Sequence, residues 1–61
     1  MSQITTKELT ALEDQLNAEQ VLATKYSSYA EQCTDPQLQT KCRMIAGKHQ
    51  EYFNTLIGYL K

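Results

Sequence analysis

Cys33-Thr34-Asp35-Pro36 is the place in this chain where one helix has to stop and another can begin. Proline disfavours helical dihedrals in the residue before it, while its own fixed φ suits a first helical position, so Asp35 reads as an N-cap and Pro36 as the start of a second helix. Toward the N-terminus, Cys33, Ala30, Tyr26, Ala23, Glu19, Leu16, Leu12 and Leu9 step alternately by three and four residues. Toward the C-terminus, Leu38, Cys42, Ile45, His49, Tyr52, Leu56 and Tyr59 do the same. Such stepping marks a helical seam. Folding at Asp35 brings the rows into register, with Ala30 facing Leu38, Tyr26 facing Cys42, Ala23 facing Ile45, Leu16 facing Tyr52, Leu12 facing Leu56 and Leu9 facing Tyr59. One rung departs from the apolar rule: Glu19 against His49.

The ends follow from local chemistry. Met1 to Ile4 carry little periodic pattern and read as a frayed end. Thr5 followed by Glu8 has the spacing of a capping box, with Thr6 as the alternative cap. From Thr6 to about Gln32 there is no proline or glycine, and Ala, Leu, Glu, Gln and Lys recur, which gives a helix of about 27 residues, roughly 40 Å long. The second helix should run from Pro36 to about Tyr59, with Gly47 and Gly58 each costing on the order of 1 kcal/mol relative to Ala where exposed. Two nearly equal helices joined by residues 33–35 must lie antiparallel. The expected fold class is therefore all-α, residues 1–61 forming a single helical hairpin.

A chain of 61 residues buries only about 60% of the surface that its unfolded form exposes. The usual remedies for a small domain are few here. Cys33 and Cys42 lack zinc-finger spacing, and their offset along the hairpin puts their Cα atoms beyond the roughly 7 Å that an unstrained disulfide spans, so both read as small apolar side chains. Self-association remains. Leu22 and Tyr29 extend one flank of helix 1, and Ala46, Phe53, Ile57 and Leu60 extend one flank of helix 2. A second copy packed on those flanks would make a homodimer and complete a four-helix bundle. A helix from another protein is the alternative occupant.

The formal net charge is −1 and the pI about 5.6, so no global field draws the chain to nucleic acid or an anionic membrane. Lys41, Arg43 and Lys48 form no stripe interleaved with exposed aromatics, which argues against nucleic-acid binding. Helix 1 is acidic through Glu8, Glu13, Asp14, Glu19 and Glu31 against Lys7 and Lys25; helix 2 is basic through Lys41, Arg43, Lys48 and Lys61 against Glu51. Exposed pairs between them are worth about 0.2–1 kcal/mol each. No apolar run approaches the roughly 20 residues of a membrane span, and the N-terminus does not read as a secretion signal, so an intracellular, soluble protein is expected.

Glu19 and His49 are the candidate functional residues. A carboxylate in an apolar layer is costly unless paired, hydrogen-bonded or protonated, and His49 at the same level supplies the partner. The pair then fixes register, as a polar layer does in coiled coils. Alternatively, the two-fold of a dimer brings two Glu19 and two His49 together as oxygen and nitrogen ligands for one zinc, iron or manganese ion. Tyr26, Tyr52 and Tyr59 on the seam and Tyr29 on its flank read as core aromatics with hydroxyls at the edge, Tyr26 or Tyr52 being placed to hydrogen-bond the polar layer. There is no Gly-rich phosphate loop or zinc-protease motif, and a single histidine leaves little scope for a nucleophilic triad. No enzyme activity is expected.

Leu-Asn-Ala-Glu-Gln at 16–20, Lys25-Tyr26, Tyr29-Ala30, Cys33-Thr-Asp-Pro36, Cys42, Ile45-Ala46 and His49 resemble the small coat-F-type spore coat proteins of endospore-forming bacteria, which are similar to half of a ferritin-like bundle. Ferritin-like di-metal proteins place a Glu on one helix of a pair and Glu-x-x-His on the next. Glu19 matches the first and His49 the second motif's His, but Ala46 stands three residues before it. The resemblance thus implies a ferritin-like architecture with a degenerate site and a structural or assembly role in the spore coat or mother-cell cytoplasm, with other coat proteins as further partners, and not ferroxidase activity.

Overall fold

The computed structural model describes residues 4–60. Met1 to Gln3, part of the segment read as frayed, and Lys61, counted among the basic residues of helix 2, lie outside them. The fold is an all-α antiparallel hairpin of α1 (Thr6–Gln32) and α2 (Pro36–Ile57), closed by one 3-10 turn over Gly58–Leu60. The sequence pattern carries the second helix to about Tyr59. Its α-helical hydrogen bonding ends at Ile57, and the Gly58 N–H turns back to the carbonyls of Leu56 and Thr55.

Side chains that satisfy orphan backbone groups hold the ends. The Thr5 hydroxyl accepts from the Glu8 N–H at 3.1 Å while the Glu8 carboxylate accepts from the Thr5 N–H at 2.9 Å, closing the capping box. At the turn, Cys33 and Asp35 both leave helical space, and the Asp35 carboxylate accepts from the N–H groups of Gln37 and Leu38. Pro36 fills the first turn, where its missing donor costs nothing. Gln39 then reaches back across the turn and donates through Nε2 to the Ala30 carbonyl at 2.9 Å, satisfying an acceptor that the end of α1 leaves without an intrahelical partner.

Burial follows the expected seam on α1. Leu9, Leu12, Leu16, Glu19, Ala23, Tyr26, Ala30 and Cys33 are all buried or half-buried. On α2 every second expected position is displaced by one residue. Cys42, His49 and Leu56 lie in the seam, but Gln39, Ala46 and Phe53 replace Leu38, Ile45 and Tyr52, which are 52%, 37% and 50% exposed. Tyr59 is exposed as well. The physical reason is side-chain size. Ala23, Ala30 and Ala46 are among the most buried residues in the hairpin, and small side chains permit the helix backbones to come close. A ranking by hydrophobicity puts Ile45 ahead of Ala46, whereas the space between close helices accepts the smaller residue.

The two sides of the seam differ. Ala23 and Ala46 floor a shallow groove walled by polar side chains that include Gln20, Thr24, Ser27, Arg43 and Gln50. Away from this groove, Tyr26, Tyr29 and Tyr52 cluster with His49.

Candidate functional site

Glu19 sits near the middle of α1 and His49 in the second half of α2, at the same level of the hairpin. Heptad spacing on each helix turns both inward. His49 Nδ1 lies 2.6 Å from Glu19 Oε1. An ionised carboxylate can only accept, so the shared proton belongs to Nδ1, and in the neutral ring Nε2 keeps its lone pair. Gln15, one turn before Glu19, donates through Nε2 to Glu19 Oε2 at 2.7 Å. Each carboxylate oxygen therefore has a donor. Glu19 is 8% exposed, and among the described residues no buried side-chain nitrogen or oxygen lacks a partner.

The hydrogen bond from His49 holds the Glu19 carboxyl below its ordinary value of 4.5. Burial acts in the opposite direction, while the Gln15 hydrogen bond and the His49 charge add to the lowering. Glu19 is thus kept ionised by its donors in a place that would otherwise favour its protonation.

Aromatic rings surround the histidine. Tyr26 stacks on it with centroids 6.3 Å apart and planes inclined by 19°, and Tyr52 meets it edge-on at 6.0 Å. Tyr29 stands edge-on to Tyr26 at 5.6 Å, and the Lys25 ammonium lies 5.9 Å from the centre of its ring. Tyr26 and Tyr52 approach the polar layer through their rings; the second donor to Glu19 is Gln15. Gln15 was not among the residues singled out from the sequence, although its position four residues before a seam carboxylate is a readable helical pairing.

Among the described residues no group of three or more His, Cys, Asp or Glu side chains is placed to hold a metal ion. Cys33 and Cys42 are both free. The Cys33 thiol donates to the Asp35 carbonyl at 3.7 Å, and Cys42 is buried in the seam. Among the described residues no helix is long and apolar enough to cross a membrane.

Comparison with protein-family models, curated proteins and solved structures found no match.

Proposed function

We propose that this protein is a non-enzymatic helical hairpin that works by self-association, with a structural or assembly role. One observation carries the reading: among the described residues those shielded by the hairpin itself are Ala23, Ala30, Cys42, Ala46 and Glu19, no large side chain is fully buried, and ten large hydrophobic residues are more than a third exposed. Small side chains bring the helices together, and the large ones await another surface. The resemblance to coat-F-type proteins gives this role a setting, the spore coat of an endospore-former, with other coat proteins as further partners. Light scattering under reducing conditions tests the association. A monodisperse 7.0 kDa species at micromolar concentration would overturn it. A fluorescent fusion that stays diffuse through sporulation would remove the setting and leave the assembly role standing.

The competing reading places a single zinc, iron or manganese ion between the Glu19 and His49 layers of two chains. In its favour, a metal-binding histidine commonly donates its other ring N–H to a carboxylate, as His49 does here. Against it, both Glu19 oxygens already accept hydrogen bonds within the chain. Chelator is therefore expected to leave the melting temperature unchanged. A melting temperature that chelator lowers, that zinc or manganese restores, and that becomes indifferent to both in a Glu19→Gln variant would establish the metal reading instead.

A further inference from the structure

We infer that a second copy of this chain seats on one particular side of the hairpin, the row formed by Leu22 and Tyr29 of α1 with Leu38, Ile45, Tyr52 and Tyr59 of α2. The inference rests on the self-association reading and deepens it by naming the surface. Leu38, Ile45, Tyr52 and Tyr59 recur every seventh residue beside the seam positions Cys42, His49 and Leu56. On α1, Leu22 and Tyr29 stand in the corresponding place beside Glu19 and Tyr26. In an antiparallel pair these flanks lie on the same side, and the contacts agree: Tyr29 touches Tyr26, Tyr26 stacks on His49, and His49 meets Tyr52. Through Tyr26 and His49 these contacts link Tyr29 on α1 to Tyr52 on α2.

Its chemistry is that of an interface. Tyr29, Leu38, Ile45, Tyr52 and Tyr59 are between 37% and 62% exposed, and none of the six residues is charged. Lys41 and Lys48, each three residues beyond a member of the row, and Lys25 beside the Tyr29 ring give it a solvated border. Tyrosine-rich apolar centres with charged rims distinguish association surfaces from ordinary ones. The opposite side, with Gln20, Thr24, Ser27, Arg43 and Gln50, has no comparable row.

The area available is enough for a second copy. The chain exposes 4817 Å², above the roughly 4,000 Å² of a compact monomer of its mass, and one partner of a standard interface covers about 800 Å² of its surface. A two-fold arrangement satisfies both chains with the same row.

Substitution on and off the row tests this, with sedimentation read beside helicity by circular dichroism. The wild type should sediment as a dimer, and Ile45→Lys should lower the association constant at least a hundredfold while remaining helical. Leu38→Lys, close to the turn and away from the polar layer, provides the second variant should Ile45→Lys fail to fold. Val21→Lys and Met44→Lys replace residues that are 63% and 64% exposed but lie on the backs of the two helices, and both should sediment like the wild type. A wild type that is monomeric overturns the self-association reading and this inference together. A dimer that survives Ile45→Lys and Leu38→Lys but dissociates on Val21→Lys or Met44→Lys overturns only the assignment of the surface. Sedimentation of the wild type with anionic vesicles in place of dimerisation would show that the row serves a lipid surface, and would overturn the inference.

Discussion

Glu19 and His49 interact through one short hydrogen bond, and its consequences can be measured separately from the rest of the fold. Because the folded-state Glu19 carboxyl titrates below its ordinary value of 4.5, the unfolded chain binds the proton more readily than the folded one in acid. The stabilisation is present above pH 4.5 and is lost as the pH falls through the folded value. Glu8, held below its ordinary value chiefly by the Thr5 N–H and then by the Thr5 hydroxyl, acts in the same direction. The melting temperature should therefore fall as the pH is lowered from about 5 toward 3, and the Glu19→Gln variant should show a smaller fall. A parallel decline in the two proteins would place the acid sensitivity elsewhere. Substitution separates pairing from burial. His49→Ala leaves a buried carboxylate with one donor removed, whereas Glu19→Leu combined with His49→Phe removes the need for a donor altogether, so the single change should lower the melting temperature more than the double. The reverse order would mean that the pair stabilises beyond what an apolar layer of similar size provides.

At the scale of the helices, stability is set by termini and by one exposed glycine. Asp35 caps α2 through two N–H groups, so Asp35→Ala should cost about 1 kcal/mol in a urea titration. Gly47 has nothing within 4 Å of where a Cβ would stand, and its place in the middle of α2 suits alanine, so Gly47→Ala should add about 0.5–1 kcal/mol. A loss at this position would point to a second copy packed on the Gly47 side of the hairpin, against the surface proposed above. These caps could be read in the sequence because each depends on residues three or fewer apart, Thr5 with Glu8 and Asp35 with Pro36, and local hydrogen bonding decides them. The level of Glu19 with His49 was equally legible, since an antiparallel fold at Asp35 fixes axial position. The rotation of α2 about its own axis was not. Leu38 and Gln39, or Ile45 and Ala46, differ by 100° around the helix, and choosing between them requires the depth of the gap opposite, which Ala23 and Ala30 set from the other helix. Hydrophobicity favoured the larger residues for the seam. The structure leaves them on the flank, so the association surface proposed above takes Leu38, Ile45, Tyr52 and Tyr59 together with Leu22 and Tyr29, whereas Ala46 and Phe53, expected on the flank of α2, lie in the seam.

The hairpin as a whole is long and thin, 46 × 16 × 11 Å, with a radius of gyration of 14.3 Å, against roughly 10.5 Å for a compact domain of this length. A single pair of helices has a seam but no second layer, and layers are what enclose large side chains. If the second layer comes from another copy, part of the folding free energy depends on mass action: unfolding a dimer yields two chains, and each tenfold rise in protein concentration favours the folded state by about 1.4 kcal/mol. For a two-chain unit of this size that corresponds to about 5 °C in melting temperature. Thermal unfolding followed at 222 nm from 1 to 100 μM protein, in the presence of reductant, should therefore move upward by about 10 °C. Reductant itself should change nothing at fixed concentration, because Cys33 and Cys42 are unbridged. The Ile45→Lys variant should melt lower and lose the concentration dependence, because its second layer no longer forms. Unfolding of the wild type at one temperature across the whole range would mean that the hairpin is stable by itself, with Tyr29, Leu38, Tyr52 and Tyr59 in water.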